Sequence, residues 1–257
     1  MVPALAPIFH GPLEPYADTL VLPGDKSDAF PLSELLDPAR LDAALDLVAA
    51  HFGGEDRRAL ASLFSIHYVH ILMPVVVVAN LMLGRHLPVA LDDLAIVLDE
   101  DGLPDHFVLP HDGHVDGEAD PFVRFKPLIF DHLEPVFAAL SARSGLSTKV
   151  LWTNAANLFE AILRELEGTG QVPAAVAAGD LLAAAPRWPG GARNPFHAPV
   201  RYEPGPGGEG RWRRVCCVRY LLPKRGYCSN CPHVLAGKKR DDAKVAPGAI
   251  SARLGSR

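Results

Sequence analysis

The chain has 257 residues, 49% of them hydrophobic, which is enough to bury a sizeable core as one large domain with a small appendage. Its formal charge of -5 is unevenly spread, with ten carboxylates and no Lys or Arg between Asp92 and Asp120, and ten basic residues against Glu203 and Glu209 between Arg201 and Arg240. The start, Met1-Val-Pro-Ala-Leu-Ala-Pro, lacks the basic and apolar regions of a secretory signal, so a cytoplasmic protein with reduced cysteines is expected, and the apolar stretch Ile71 to Leu83, broken by Pro74 and Asn80, is too short to span a bilayer.

In chain order, Leu35, Leu36, Leu41, Leu45 and Val48 fall near helical spacing and predict one or two amphipathic helices over 32–52. Residues 55–73 continue helically, with Leu60, Leu63, Phe64 and His67 three or four apart, and Pro74 suits a kink or the first turn of another helix. The run Val75 to Val78 is compatible with a strand as well as a buried helix. From Leu94 the pattern changes: Leu94 to Leu98, the turn Glu100-Asp101-Gly102 and His106 to Leu109 predict a β-hairpin near 94–109, hence a small antiparallel sheet. Helices follow over 122–144, 147–167 and 174–185. Residues 186–210 hold twelve Pro or Gly in twenty-five positions, the composition of a linker, and the polar tail 241–257 is expected to be flexible. The fold class is therefore α+β: a mainly α-helical domain over 1–185, the linker 186–210, and a small C-terminal segment over 211–240.

Several motifs yield to plainer explanations. Gly205-Pro-Gly207-Gly-Glu-Gly210 matches the dinucleotide string, but that fingerprint works only between a strand and a helix N-terminus, and Arg211-Trp-Arg-Arg follows it here. His106, His111 and His114 lie among acidic residues and are expected to be exposed loop histidines rather than metal ligands. His67 and His70 follow an apolar helix and are expected to be hydrogen-bonded core groups. Trp152 and Asn154, two apart on a predicted helix, point to different sides of it; Trp152 suits core packing and Asn154 a structural or pocket-forming role.

The chemistry is concentrated in one place. The only four cysteines, Cys216, Cys217, Cys228 and Cys231, sit within sixteen residues in the pattern C-C-x10-C-x2-C, and four thiols this close imply one metal centre. The spacing differs from the common ferredoxin runs and from paired zinc knuckles, and soft-ligand chemistry alone leaves iron–sulfur and zinc open. An extended strand would put Cys216 and Cys217 on opposite faces, so both can ligate only from a bend or helical turn. Gly226 permits the return, and Pro232 follows the last cysteine as in bacterial cluster motifs. No stacking-aromatic array accompanies the basic residues, so nucleic acid is not an expected partner.

The stretches Arg213-Arg214-Val-Cys216-Cys217-Val-Arg-Tyr220 and Tyr227-Cys228-Ser-Asn-Cys231-Pro232 closely resemble the C-terminal motif of the FhuF-type ferric-siderophore reductases. Upstream, Asp131-His132-Leu133-Glu134-Pro135-Val136-Phe137 and Val150-Leu151-Trp152-Thr153-Asn154-Ala155-Ala156-Asn157 resemble the helical core of the same family. The resemblance implies a [2Fe–2S] cluster held by all four cysteines, and an oxidoreductase that passes one electron to chelated Fe(III) and releases Fe(II) for iron acquisition. Its substrate would be a ferric siderophore, hydroxamate type foremost, and its electrons would come from a separate donor protein or small reductant. Arg213, Arg214, Arg219, Lys224 and Arg225 would tune the anionic cluster or receive an anionic partner, and Trp152 and Asn154 would belong to the substrate-holding core. The chain would work in the cytoplasm, and the sequence leaves open whether it associates peripherally with the inner face of the cell membrane. Two other functions fit the residues, a ferredoxin-like electron carrier and a zinc-stabilised binding module.

Overall fold

The computed structural model describes residues 1–24, 28–170, 173–205 and 208–237. Two 3-10 turns, Pro3–Ile8 and Gly11–Tyr16, lead through the two-residue strands β1 (Leu20–Val21) and β2 (Phe30–Pro31) to a third turn at Leu32–Leu36. Helix α1 (Pro38–Phe52) starts where Asp37 caps it, accepting from the backbone N–H groups of Ala39 and Arg40, with Pro38 in the first turn. Helix α2 (Arg57–Leu83) is capped by Asp56 and stopped by Gly84, whose φ of 59° is the left-handed conformation that ends helices.

Helix α2 runs straight through Pro74 and Val75 to Val78, so the strand alternative for the valines does not hold. Burial decides it: Leu72, Met73, Val75 and Val77 are fully enclosed, and tertiary packing outweighs the weak preference of β-branched residues for strands. The expectation that this apolar stretch is too short to cross a bilayer also changes, because the helix containing it has 27 residues and is long and apolar enough for that by length and composition. In this structure 72% of its most apolar window is buried by the rest of the chain, as in the central helix of a core.

After α2 come β3 (Arg85–His86), β4 (Ala95–Leu98), β5 (Pro104–Val108) and β6 (His114–Val115). The predicted hairpin is β4–β5, antiparallel with Ile96 opposite Phe107 and an irregularity at Val97/Leu98. It is extended into a four-stranded sheet of order β1-β5-β4-β2, in which β1 is parallel to β5, while β3 and β6 pair separately. Ile96 and Phe107 turn inward onto the helices. His106 is on β5 and buried, with Nδ1 2.6 Å from Asp105, rather than exposed in a loop.

The helix expected over 122–144 is α3 (Pro121–Lys126), a π-helical segment (Pro127–Leu133) and α4 (Glu134–Ser144) in succession. Pro127 has no N–H to give to the turn behind it, which is where the wider π spacing begins. The segment turns His132 into the core, where its Nδ1–H donates to Val89 O and its Nε2 accepts from Tyr68 Oη, both at 2.6 Å. Helix α5 (Thr148–Thr169) packs along α2 as the central helix pair, and α6 (Pro173–Ala184) lies on α5.

The stretch 186–210 differs from a simple linker. Asn194 ties its first half to α6 through Leu182 O at 2.7 Å and Ala185 O at 2.9 Å. Its second half forms most of the hairpin β7 (Val200–Gly205) and β8 (Gly208–Arg213), in which Trp212 Nε1 donates to Glu203 O at 3.0 Å and Gly210 leaves room for the indole. A 3-10 turn (Arg219–Leu221) and the short helix α7 (Pro232–Leu235) complete the described chain. The tail 241–257, and Lys238 to Arg240, lie outside the described residues.

His132 gives the fold an acid limit. Complete burial pushes its pKa from 6.5 down to about 4, so the imidazole is neutral in the native state. Below about pH 6.5 the unfolded chain binds a proton that the folded chain refuses until about pH 4, so stability is lost as pH falls through that window, by up to about 3 kcal/mol. Urea titrations at pH 7, 6, 5 and 4.5 should show this loss, and His132→Gln should flatten it. A variant with an unchanged acid slope would remove His132 from the account.

Candidate metal centre

Strand β8 delivers Arg213, after which the chain leaves the sheet. Cys216 and Cys217 lie in irregular backbone between β8 and the Arg219–Leu221 turn, as the adjacent pair required. The reversal is made at Val218, held at φ 54°, a conformation uncommon outside glycine; its N–H points to Cys216 Sγ at 3.4 Å. The chain returns to Cys228, and the Cys231 N–H bonds Cys228 O at 3.2 Å before Pro232 opens α7. Trp212, Val234 and the half-buried Ile66, Tyr227 and Leu235 pack round the sulfurs.

None of the four cysteines is in a disulfide, and Cys217, Cys228 and Cys231 are buried while Cys216 is half-exposed. Their thiols form a ring, Cys216 and Cys228 each bonding to both Cys217 and Cys231. Those bonds hold Cys217 well below an ordinary thiol, and Cys231 down to about 3, while Cys216 and Cys228 are pushed far up. Ionisation of one thiol therefore opposes ionisation of its neighbours. Four sulfurs this close cannot all ionise without a cation among them, and four soft thiolates are the donor set of an iron–sulfur cluster. Among the described residues no group of three or more His, Cys, Asp and Glu is closed round a position for one ion, so the ring is a set of neighbouring thiols rather than a finished coordination shell.

The surroundings fit an anionic centre. The charges of Arg213 and Arg219 both lower the Cys217 thiol, and the Nε atoms of both arginines are buried without a hydrogen-bond partner. Arg213 is 4% exposed. Of the other basic residues singled out from sequence, Lys224 and Arg214 are exposed, and Arg214 Nε donates to Val200 O at 3.2 Å; Arg225 lies over the Phe52 ring.

The segment is held in place by a stripe of polar groups on α5. Asn154 Nδ2 donates to Ser65 Oγ at 2.9 Å and Ser62 Oγ at 3.2 Å on α2, while its Oδ1 accepts from Arg213. One turn on, Asn157 Oδ1 accepts from Arg211 at 3.0 Å and from Asn230 at 2.9 Å. A further turn on, Glu160 accepts from Arg211 and from Tyr202. Ser62 Oγ donates to Cys217 O, fixing the bend itself. Sequence reasoning found Asn154 but missed Ser62, Asn157 and Glu160; three polar residues three apart on an apolar helix were the available signal. Trp152 faces the other way, edge-on to Phe137 at 4.9 Å and Phe196 at 6.2 Å, in the core.

Residues 62–209 match the family described as ferric iron reductase FhuF-like transporter, and residues 213–233 match the FhuF 2Fe-2S C-terminal domain. The chain belongs to the FhuF family. The second match covers all four cysteines, so the cofactor of this FhuF-family protein is a [2Fe–2S] cluster, and a zinc module is set aside. No curated protein matches the chain significantly. Among solved structures it is similar to ATP-bound aerobactin synthetase IucA from a hypervirulent pathotype of Klebsiella pneumoniae, with 18% identity and a TM-score of 0.52 over 66% of this chain. The likeness spans 37% of that chain and concerns the fold alone.

Two substitutions test the site. Cys217→Ser should abolish the visible absorbance of the cluster and its iron content. Asn154→Leu leaves Arg213 buried without its acceptor, a loss of about 1.5–3 kcal/mol, and should loosen 211–237 to limited proteolysis while Trp152→Leu does not. Wild-type protection and iron retention in Asn154→Leu would show that the α5 stripe is not what holds the centre.

Proposed function

We propose that this FhuF-family iron–sulfur protein is a ferric-siderophore reductase, with hydroxamate chelates as substrates and a separate protein or small reductant as electron donor. We place it in the cytoplasm, peripheral to the inner face of the cell membrane. The observation that carries the reading is the attachment of a four-thiol centre, with Cys216 half-exposed, to one end of a large helical body through Ser62, Asn154, Asn157 and Glu160. An electron carrier needs only the cluster segment. A body built to hold that segment rigidly suits a protein that must place a second reactant beside it.

When bound, the [2Fe–2S] cluster supplies one electron to ferric iron. The chain's own groups set the terms of that transfer. Arg213 and Arg219 stabilise negative charge at Cys217 and so raise the reduction potential, about 59 mV corresponding to a tenfold change in the equilibrium. Trp212, Ile66 and Val234 shield the buried sulfurs from water, whereas the Cys216 edge stays open. Hard oxygen donors hold Fe(III) tightly and Fe(II), lower in charge, far less, so loss of ferrous iron draws an unfavourable electron step forward.

A cavity of about 250 Å³, lined by Ile8, Leu13, Val78, Met82, Ile162 and Leu166 among others, is a poor candidate for the chelate. Val78 is sixteen residues along α2 from Ser62, about 24 Å at 1.5 Å per residue, and the lining is too apolar for a polar complex. Residues 219–225, which meet the α1–α2 turn where Leu222 and Pro223 approach Gly54, carry the cations Arg219, Lys224 and Arg225.

Chemically reduced protein mixed anaerobically with ferric hydroxamates should reoxidise, with ferrozine capturing Fe(II) in step and iron-free chelator doing nothing. Clusters that stay reduced across hydroxamate, catecholate and citrate-type ferric chelates would sink the reductase reading. In redox titrations Arg219→Gln should have a lower potential than wild type, and exposed Arg214→Gln a smaller change; equal potentials in both would leave the basic groups without a tuning role.

A further inference from the structure

The arginines of the cysteine segment fall into two groups. Arg213 and Arg219 act on Cys217 and have the thiolates as counter-charge. Arg225 has none: among the described residues it pairs with no carboxylate, its buried Nε has no hydrogen-bond partner, and the charge acting on it is that of Arg219, of the same sign. Its guanidinium carbon lies 4.5 Å above the centroid of Phe52, at the C-terminal end of α1.

The seam that holds this pair is closely fitted. Gly54, at φ 97°, admits the returning chain, since a Cβ there would lie 2.8 Å from Pro223 Cδ and 3.2 Å from Leu222 Cδ2. Leu222 is buried in the main core, so Arg225 is anchored three residues past a fixed point and its N–H bonds Leu222 O at 3.0 Å. Stacking on an aromatic face fixes the guanidinium plane and leaves its N–H edge free for a bidentate acceptor. A half-buried cation without a counter-charge is costly, and an arriving anion relieves that cost.

We propose that Arg225, held on Phe52, receives a free carboxylate of the ferric chelate, so that this chain selects chelates of net negative charge over neutral ones. The inference rests on the reductase reading and narrows it to hydroxamates that also carry carboxylates. Arg225 binds substrate, whereas Arg213 and Arg219 serve the sulfurs.

Redox-inert gallium(III) complexes separate binding from electron transfer. Calorimetry on the oxidised, cluster-loaded protein should show the gallium complex of a citrate-based dihydroxamate binding more tightly than that of a neutral trihydroxamate. Arg225→Gln should weaken the anionic complex about tenfold to hundredfold and leave the neutral one unchanged, with the cluster potential shifted less than in Arg219→Gln. Arg225→Lys, which keeps the charge but loses the planar fork, should fall between them. Equal affinity for both complexes in the wild type, or an anionic complex bound unchanged by Arg225→Gln, would overturn the proposal; the wild-type comparison decides even if Arg225→Gln fails to fold. Selective gallium binding with no reoxidation by any ferric chelate would uphold anion recognition and refute the reductase reading alone.

Discussion

The structure depends on a buried polar contact that joins its two parts. Arg213 and Arg211, flanking Trp212 at the end of a hairpin, are received by Asn154, Asn157 and Glu160 on the central helix. Glu160 and Arg213 are almost wholly buried, so each would be expensive alone and is tolerable only with its partner present. Breaking the Arg211–Glu160 ion pair costs about 3–5 kcal/mol, whereas forming it adds little net stability, which makes it a device for fixing position. A redox centre whose usefulness falls with misplacement is what such a device suits.

The same constraint orders the electrostatics. An arginine that reaches over the α5 stripe is already beside the thiols, and the group that anchors the segment also supplies positive charge to Cys217. Arg213 therefore bonds Asn154 through one nitrogen and leaves its Nε unpartnered and enclosed. The opposite shifts of neighbouring thiols round the ring express the same limit on charge density from the side of the sulfurs.

How much was legible in the sequence differs from element to element. The cysteines announced themselves because four such residues within sixteen positions have few structural uses, and the adjacent pair required the bend that Val218 makes. The β4–β5 hairpin and the helices at 148–169 and 173–184 followed from periodicity and caps. Val75 to Val78 were ambiguous because a run enclosed on every side loses the alternation that distinguishes strand from helix. Residues 200–213 were hidden for the opposite reason, since Pro and Gly dominate their composition while the pairing is set by Trp212 and by contacts with α5. Asn157 and Glu160 make sense only with Arg211, more than fifty residues away, in view.

The bond from Ser62 to the carbonyl of Cys217 spans 155 residues. Contacts so distant in sequence wait on the meeting of remote parts of the chain, whereas helices form locally. The thiols consequently spend the early life of the chain in solvent, open to oxidants and stray metals, and acquire their arginine neighbours and apolar cover only when the helical body is ready to receive them. The shelter of the thiols thus belongs to the helical body: a chain in which α2 or α5 is misplaced has no cover to offer its cysteines.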